Sequence, residues 1–290
     1  MFIQVFANYL YETKVIEKAQ FDLVINHAKH EKLLLGQVAH NIGLMTPEQI
    51  LEIKRLQAGS DALFGQIALS VGYLTQEEID ILLRLQSKND LIVIKILTEN
   101  DILDLTSVLE NFEKFREFYN LSEPEFDLVV ENNIPVCLKK LSGIDENYGI
   151  FFDFSNLFVK MLVRFIDRDC LPKKAYSQES FFNEFIVSQL AIGDSSYTIG
   201  YTASEHTLHL IANAYATIDF DSLEGTAIDA LGEFLNCITG LFVSELDKLK
   251  DIELELQSPV FNKNATLDHV QLLPIETHYG EIKIFLQKNS

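Results

Sequence analysis

The front of the chain repeats itself. "GQVAHNIGLMTPEQILEIKRLQ" runs from Gly36 to Gln57, and "GQIALSVGYLTQEEIDILLRLQ" from Gly65 to Gln86, so Gly36, Gly43, Thr46 and Gln57 recur 29 residues later as Gly65, Gly72, Thr75 and Gln86. A weaker copy, "ANYLYETKVIEKAQFDLVINHA", runs from Ala7 to Ala28. A fixed period constrains the fold more than any local propensity. Each unit is one supersecondary element that must bury its face on a neighbour. Each reads as a short helix, a glycine turn and a longer helix. Gly43 and Gly72 suit a left-handed helix end. Thr46 and Thr75 suit N-caps, with Gln49 and Glu78 at the capping-box spacing and Pro47 at a first helical position. Ile50, Ile53, Leu56 and Ile79, Leu82, Leu85 form apolar stripes, and the copies are expected to stack.

This pattern resembles the MshEN-type module at the front of type II secretion and pilus ATPases. Some of those modules bind cyclic di-GMP through paired motifs that open on Arg-Leu-Gly and close on Gln. The closing residues are here Gln57 and Gln86. Leu34 and Leu63 stand where the family's Arg would stack on guanine. An aliphatic side chain offers neither the planar cation nor the forked donors. The expectation for residues 1–87 is therefore a docking or regulatory helical module; the resemblance leaves a cyclic di-GMP effector as the alternative.

Length allows about two domains. The formal net charge of -20 excludes sequence-independent nucleic-acid binding, which needs a basic footprint, and docking on anionic lipid. Cys137, Cys170 and Cys237 are far apart with no CxxC pair, which reads as reduced thiols. The N-terminus has no basic region ahead of an apolar run, and no apolar stretch of membrane-spanning length stands out. The expectation is a cytoplasmic chain with no membrane contact. Residues 88–146 read as a helical connector, with Ile102, Leu105, Leu109, Phe112, Phe115 and Tyr119 along one stripe.

From about residue 147 the texture changes. "DFSNLFVKMLVRFIDRD" and "SEHTLHLIANAYA" read as helices, and so does the segment from about Leu223 to Leu249. "FFNEFIVSQLAIG", "SYTIGYTA", "IELELQSPVF", "HVQLLPIETHY" and "GEIKIFLQ" read as strands, with "GDSS" able to turn a hairpin. The fold class is α+β: an all-α repeat module, then a domain at 147–290 whose helices pack on a mostly antiparallel sheet.

The long helix contains "DALGEFLN". On a wheel of about 100° per residue, Asp229, Glu233, Asn236 and Gly240 share a stripe roughly 60° wide. Ala230, Leu231, Phe234, Ile238, Leu241 and Phe242 fill the opposite arc. A polar face is ordinary on an amphipathic helix, and Glu-x-x-Asn occurs twice, the other instance being Glu117-Phe-Tyr-Asn120. The fuller pattern is more demanding: Asp229, three residues, Glu233, two residues, Asn236, then twenty-two residues to Pro259. Gly240 would let another surface approach the helix.

That pattern resembles the chemotaxis phosphatase family of CheX, CheC and FliY, whose motif is an Asp or Ser, three residues, Glu, two residues, Asn, twenty-two residues, Pro. The resemblance covers roughly residues 147–290, and the single copy is similar to CheX. It implies hydrolysis of the aspartyl phosphate on a CheY-like response regulator, with Glu233 and Asn236 catalytic and Asp229, Gly240 and Pro259 supporting the motif. It also implies that the regulator supplies a lysine and Mg²⁺, so the chain needs no cofactor or metal of its own. His206 and His209 read as helix-surface or packing residues. The alternative function is a non-catalytic adaptor that docks response regulators. Self-association as a homodimer is left open.

Overall fold

A computed structural model of the chain describes residues 1–28, 33–57, 62–86 and 88–289. They form two packed units, Phe2–Phe118 and Tyr119–Ser290. The segment expected as a connector is thus shared between them.

The first unit is built from α1 (Phe2–Glu12), α2 (Lys18–Ala28), α3 (Leu35–Asn41), α4 (Pro47–Gln57), α5 (Phe64–Ser70), α6 (Gln76–Gln86), α7 (Asn89–Glu99) and α8 (Leu105–Phe118). The repeat runs four times rather than three. Lys14, Gly43, Gly72 and Asp101 lie 29 residues apart, and all have positive φ, of 61°, 77°, 75° and 52°. The next amide in each copy donates to an equivalent carbonyl: Val15 to Leu10, Leu44 to Ala39, Tyr73 to Ala68 and Ile102 to Leu97. The long helices are then capped. Gln49 and Glu78 accept from the amides of Thr46 and Thr75 at 2.8 and 2.7 Å, and Asp104 accepts from the Ser107 amide at 2.8 Å.

The copies do not stack in single file. α3 packs on α6 and α5 on α4; likewise α1 packs on α8 and α7 on α2. Each short helix covers the long helix of a partner copy. Two reciprocal pairs result, copies two with three and one with four. The closing glutamines follow the same exchange: Gln57 Nε2 donates to the Ala62 carbonyl and Gln86 Nε2 to that of Leu33. Ile53, Ile79 and Leu82 are buried as expected, whereas Leu56 is exposed. In α8 the inward residues are Val108, Phe112 and Phe115, while Leu105 and Leu109 face outward.

The second unit comprises α9 (Glu123–Val130), α10 (Ile134–Cys137), α11 (Ile150–Phe165), β1 (Leu171–Pro172), β2 (Tyr176–Gly193), β3 (Ser196–Ala203), α12 (Glu205–Ala216), α13 (Thr226–Lys250), β4 (Leu254–Leu256), β5 (Val260–Thr277) and β6 (Gly280–Lys288). All strand pairs are antiparallel. The order is β1-β5-β6-β3-β2-β4, and β2 pairs back to β5, so the sheet bends round to meet itself. Phe181, Ile186, Leu267, Val270, Leu272 and Phe285 fill that closure. Gly200 is required on β3, because a Cβ there would stand 2.1 Å from the Val187 carbonyl oxygen. The helices meet through aromatic contacts: Phe158 sets its ring edge-on to Tyr201 and Phe234, and Phe154 to Phe242. This is the α+β arrangement of helices on an antiparallel sheet.

β5 merges two strands that read as separate. Its middle, "FNKNATLD", is polar and mostly exposed, and pairs with the equally polar start of β2, from Tyr176 opposite Leu272 to Ser188 opposite Val260. Neither partner carries the alternation that marks a half-buried strand. α13 is the one helix among the described residues long and apolar enough to cross a bilayer. Here it is the central helix of this unit, with Phe234, Leu235, Ile238 and Phe242 at no more than 1% exposure.

Candidate functional site

α13 positions the site. Buried Tyr201 on β3 donates its hydroxyl to the Leu231 carbonyl at 3.1 Å and ties the middle of the helix to the sheet. Ala230, Leu231, Phe234, Ile238 and Phe242 are buried, but Leu241 is 48% exposed and leaves the expected apolar arc. Leu235 and Thr239 are buried instead. The sheet covers that flank of the helix, so the buried arc is rotated towards it.

Asp229, Glu233 and Asn236 are exposed along one face. They line a cleft of about 370 Å³ together with Gly232, Pro259, Val260, Phe261, Ile228 and Val187. Four of the five residues marked by the sequence pattern thus share one cleft. Gly240 lies beyond its lining, and among the described residues nothing outside the adjacent turns of its own helix comes within 4 Å of a Cβ built there. The close approach falls at Gly232, where an added Cβ would touch the Pro259 ring at 3.4 Å.

The long spacing to Pro259 has a geometric cause. After Asn236 the helix climbs fourteen residues to Lys250, about 21 Å at 1.5 Å per residue. The chain reverses at Asp251, in the left-handed region with φ 53°. It then returns through β4, about 3.3 Å per residue, and reaches Pro259 beside the turn of helix it started from.

A buried network lies under Asn236. Gln189 on β2 is 2% exposed. Its Nε2 donates to Asn236 Oδ1 at 2.9 Å and to the Gln257 carbonyl at 2.6 Å. Its Oε1 accepts from Thr239 Oγ1 at 2.5 Å. Neither Gln189 nor Thr239 stands out in the motif; the available signal is a glutamine inside the apolar strand run "FIVSQLAIG". On the other flank, the Tyr215 hydroxyl and Cys237 Sγ are 3.5 Å apart. Burial, then the Cys237 hydrogen bond, then the charges of Cys237 and Glu233 raise the Tyr215 pKa, which keeps the phenol neutral.

Among the described residues, no Lys, Arg or His lines the cleft. Two carboxylates without a cation repel a free phosphate ion. The cleft is therefore suited to a partner that brings positive charge and needs an oriented amide. His209 Nε2 lies 2.7 Å from the Phe220 carbonyl, a packing contact, and no group of three or more potential metal ligands occurs among the described residues. Cys137 and Cys170 are buried, and burial pushes both thiols up to about 12. The second Glu-x-x-Asn does not form a helical pair: Glu117 is in α8, but Asn120 lies past its end at φ 49°.

The first unit holds a larger cavity, about 880 Å³, between copies two and three. Each lining residue has its counterpart 29 positions away, as Leu34 with Leu63, Gly36 with Gly65 and Ile50 with Ile79. Leu34 and Leu63 are 59% and 68% exposed.

No protein-family model matches the chain, and no curated protein matches it. Solved structures similar to it include proteins of the CheX, CheC and FliY kinds, each matching about half of it. The chemotaxis protein CheX from Desulfovibrio desulfuricans is 17% identical over 48% of this chain and 99% of its own, with a TM-score of 0.43. A CheC-like superfamily protein from a Shewanella species is 20% identical over 48% of this chain and 98% of its own, with a TM-score of 0.41. A match in the CheX-CheY-BeF3-Mg+2 complex from Borrelia burgdorferi is 16% identical over 49% of this chain and 98% of its own, with a TM-score of 0.38.

Proposed function

We propose that the second unit hydrolyses the aspartyl phosphate of a CheY-like response regulator in chemotaxis or two-component signalling. The observation that carries this reading is the single cleft gathering Asp229, Glu233, Asn236 and Pro259. An acyl phosphate is already activated. What it lacks is a water held in line with phosphorus and charge stabilisation on the transferring group. An exposed carboxamide can hold such a water by hydrogen bonding, the role assigned to Asn236, whose Nδ2 donors are left available to the cleft. Glu233, three residues earlier on the same face, pairs with the regulator's active-site lysine and sets the register. The described residues give the cleft no cation, so in this reading positive charge arrives with the regulator, as its lysine and Mg²⁺. This reading places the chain in the cytoplasm with its substrate.

The test uses a CheY-like regulator phosphorylated by acetyl phosphate in the presence of Mg²⁺. Phosphate release is timed with and without the chain. Acceleration by the intact chain is expected, and equal rates would overturn the reading. A second reading is a module that docks a regulator without turnover while the helical unit holds another ligand. The 880 Å³ cavity between copies two and three favours it. Saturable binding of the phosphorylated regulator with no change in its lifetime would select this second reading.

A further inference from the structure

We propose that Gln189 is a positioning residue: it fixes which end of the Asn236 carboxamide faces the cleft, and so sets the rate of turnover and not the affinity for the regulator. The kinetic half of this rests on the function proposed above; the orientation half does not.

Gln189 sits 47 residues before Asn236 in the sequence, on a strand, with its side chain under α13. Buried polar groups require partners, and here both Nε2 donors and the Oε1 acceptor of Gln189 have at least one contact. Nε2 donates twice, to Asn236 Oδ1 and to the Gln257 carbonyl, while Oε1 accepts from Thr239 Oγ1. The alternative amide flip would set Oε1 against the Gln257 carbonyl, acceptor against acceptor, and lose the bond. The Gln257 carbonyl thus settles the orientation of Gln189, and Gln189 settles that of Asn236. Asn236 must turn Oδ1 inward and Nδ2 outward. Its Nδ2 has no protein partner among the described residues, so its donors remain available to a group entering the cleft. Without this contact the terminal torsion of an exposed asparagine is broad and roughly two-fold. The carboxamide would then present either end.

The experiment uses the full chain with Gln189→Glu and Gln189→Leu. The glutamate keeps the shape and the Thr239 bond but sets a carboxylate oxygen against both the Gln257 carbonyl and Asn236 Oδ1, and of these two only the Asn236 carboxamide is free to turn. Asn236 then turns Nδ2 inward. Nuclear magnetic resonance of side-chain amides, with Asn236 assigned by its loss in Asn236→Ala, reads this directly. In the unmutated chain the Gln189 amide protons exchange slowly and those of Asn236 fast. In Gln189→Glu the Asn236 signals shift and become protected. Kinetically, kcat falls tenfold to about a hundredfold, the scale of a 1 Å misplacement. KM for the phosphorylated regulator stays within about twofold, because uniform binding is untouched. In an Asn236→Ala background, Gln189→Leu adds no further loss. A merely structural glutamine predicts otherwise: unmoved Asn236 signals in Gln189→Glu, or the same loss of kcat with and without Asn236. Either result overturns the proposal. Should the wild-type chain release no phosphate beyond the regulator alone, the proposed function falls. The amide signals then decide the orientation by themselves, a shift sustaining it and no shift overturning it. Should Gln189→Leu unfold, the near-isosteric Gln189→Glu and the exchange rates of the unmutated chain carry the same decision.

Discussion

α13 and the end of α8 offer the same Glu-Phe-x-Asn pattern, Glu233-Phe-Leu-Asn236 and Glu117-Phe-Tyr-Asn120, and the fold treats them differently. α13 continues to Lys250, so Glu233 and Asn236 stay on one exposed face. α8 ends at Phe118, and Asn120 turns out of the helix at φ 49°. Asn236 rests on a buried glutamine and faces Pro259 across a cleft. Asn120 offers its backbone carbonyl to Lys140 at 3.0 Å. A spacing states a geometry only where the helix persists through it. A side chain becomes a tool only where something beneath it fixes its direction.

The largest effect that separates the two stretches is expected from Asn236→Ala. Asn236 is exposed, and water entering from the cleft can take its place on Gln189 Nε2, so thermal unfolding should move little. Loss of one preorganised polar group at the reacting centre is worth about 100- to 1000-fold in kcat. Phosphate release from the phosphorylated regulator measures it, and a near-normal rate would dissolve the distinction drawn between α13 and α8.

Glu233→Lys comes next. It sets a positive charge against the regulator's lysine, and like charges across an interface cost several kcal/mol. The expected outcome is weaker binding to a regulator carrying an acyl-phosphate mimic, seen by titration, with the fold intact. Unchanged affinity would show that Glu233 makes no such contact, and that its face is no more specialised than that of Glu117. The same absence of cations in the cleft predicts no measurable hydrolysis of p-nitrophenyl phosphate by the chain alone. Turnover of that small ester would mean that the positive charge resides in this chain after all.

What was legible in the sequence follows the same division. The repeat was legible where glycine marks the left-handed turn, at Gly43 and Gly72. It was hidden where Lys14 and Asp101 hold the same conformation. The fourth copy also replaces Leu83 and Gln86 by Phe112 and Phe115. These rings pack with Phe2, Phe6 and Tyr9 into an aromatic core, where copies two and three leave a cavity. One architecture is therefore filled in one pair and open in the other. Reciprocal pairing was not legible, because a period reports that units are alike and not how they face. In the second unit the motif carried Asp229, Glu233, Asn236 and Pro259 to one place. It could not carry Gln189, whose relation to Asn236 exists only after β2 is laid under α13. The ribbon of β2 and β5 escaped over its polar stretches, 176–180 and 261–268, where buried apolar residues such as Leu267 are too few to mark an alternating face.

The smallest effect is expected at Asn120, and it needs two variants to be read correctly. Asparagine is among the few residues that tolerate the left-handed region, through its short polar side chain. Alanine at φ 49° carries a steric penalty of about 1 kcal/mol, so Asn120→Ala should lower the unfolding temperature slightly. Glycine enters that region freely, so Asn120→Gly should leave it nearly unchanged. Neither substitution should alter phosphate release, since Asn120 is not on a helix with Glu117 and lines neither the cleft nor its supporting network. A fall in turnover in Asn120→Ala that tracks its loss of stability, and is absent from Asn120→Gly, would be a folding effect. A fall of tenfold or more in both variants, with unfolding temperatures preserved, would place chemistry at the end of α8 and reverse the comparison.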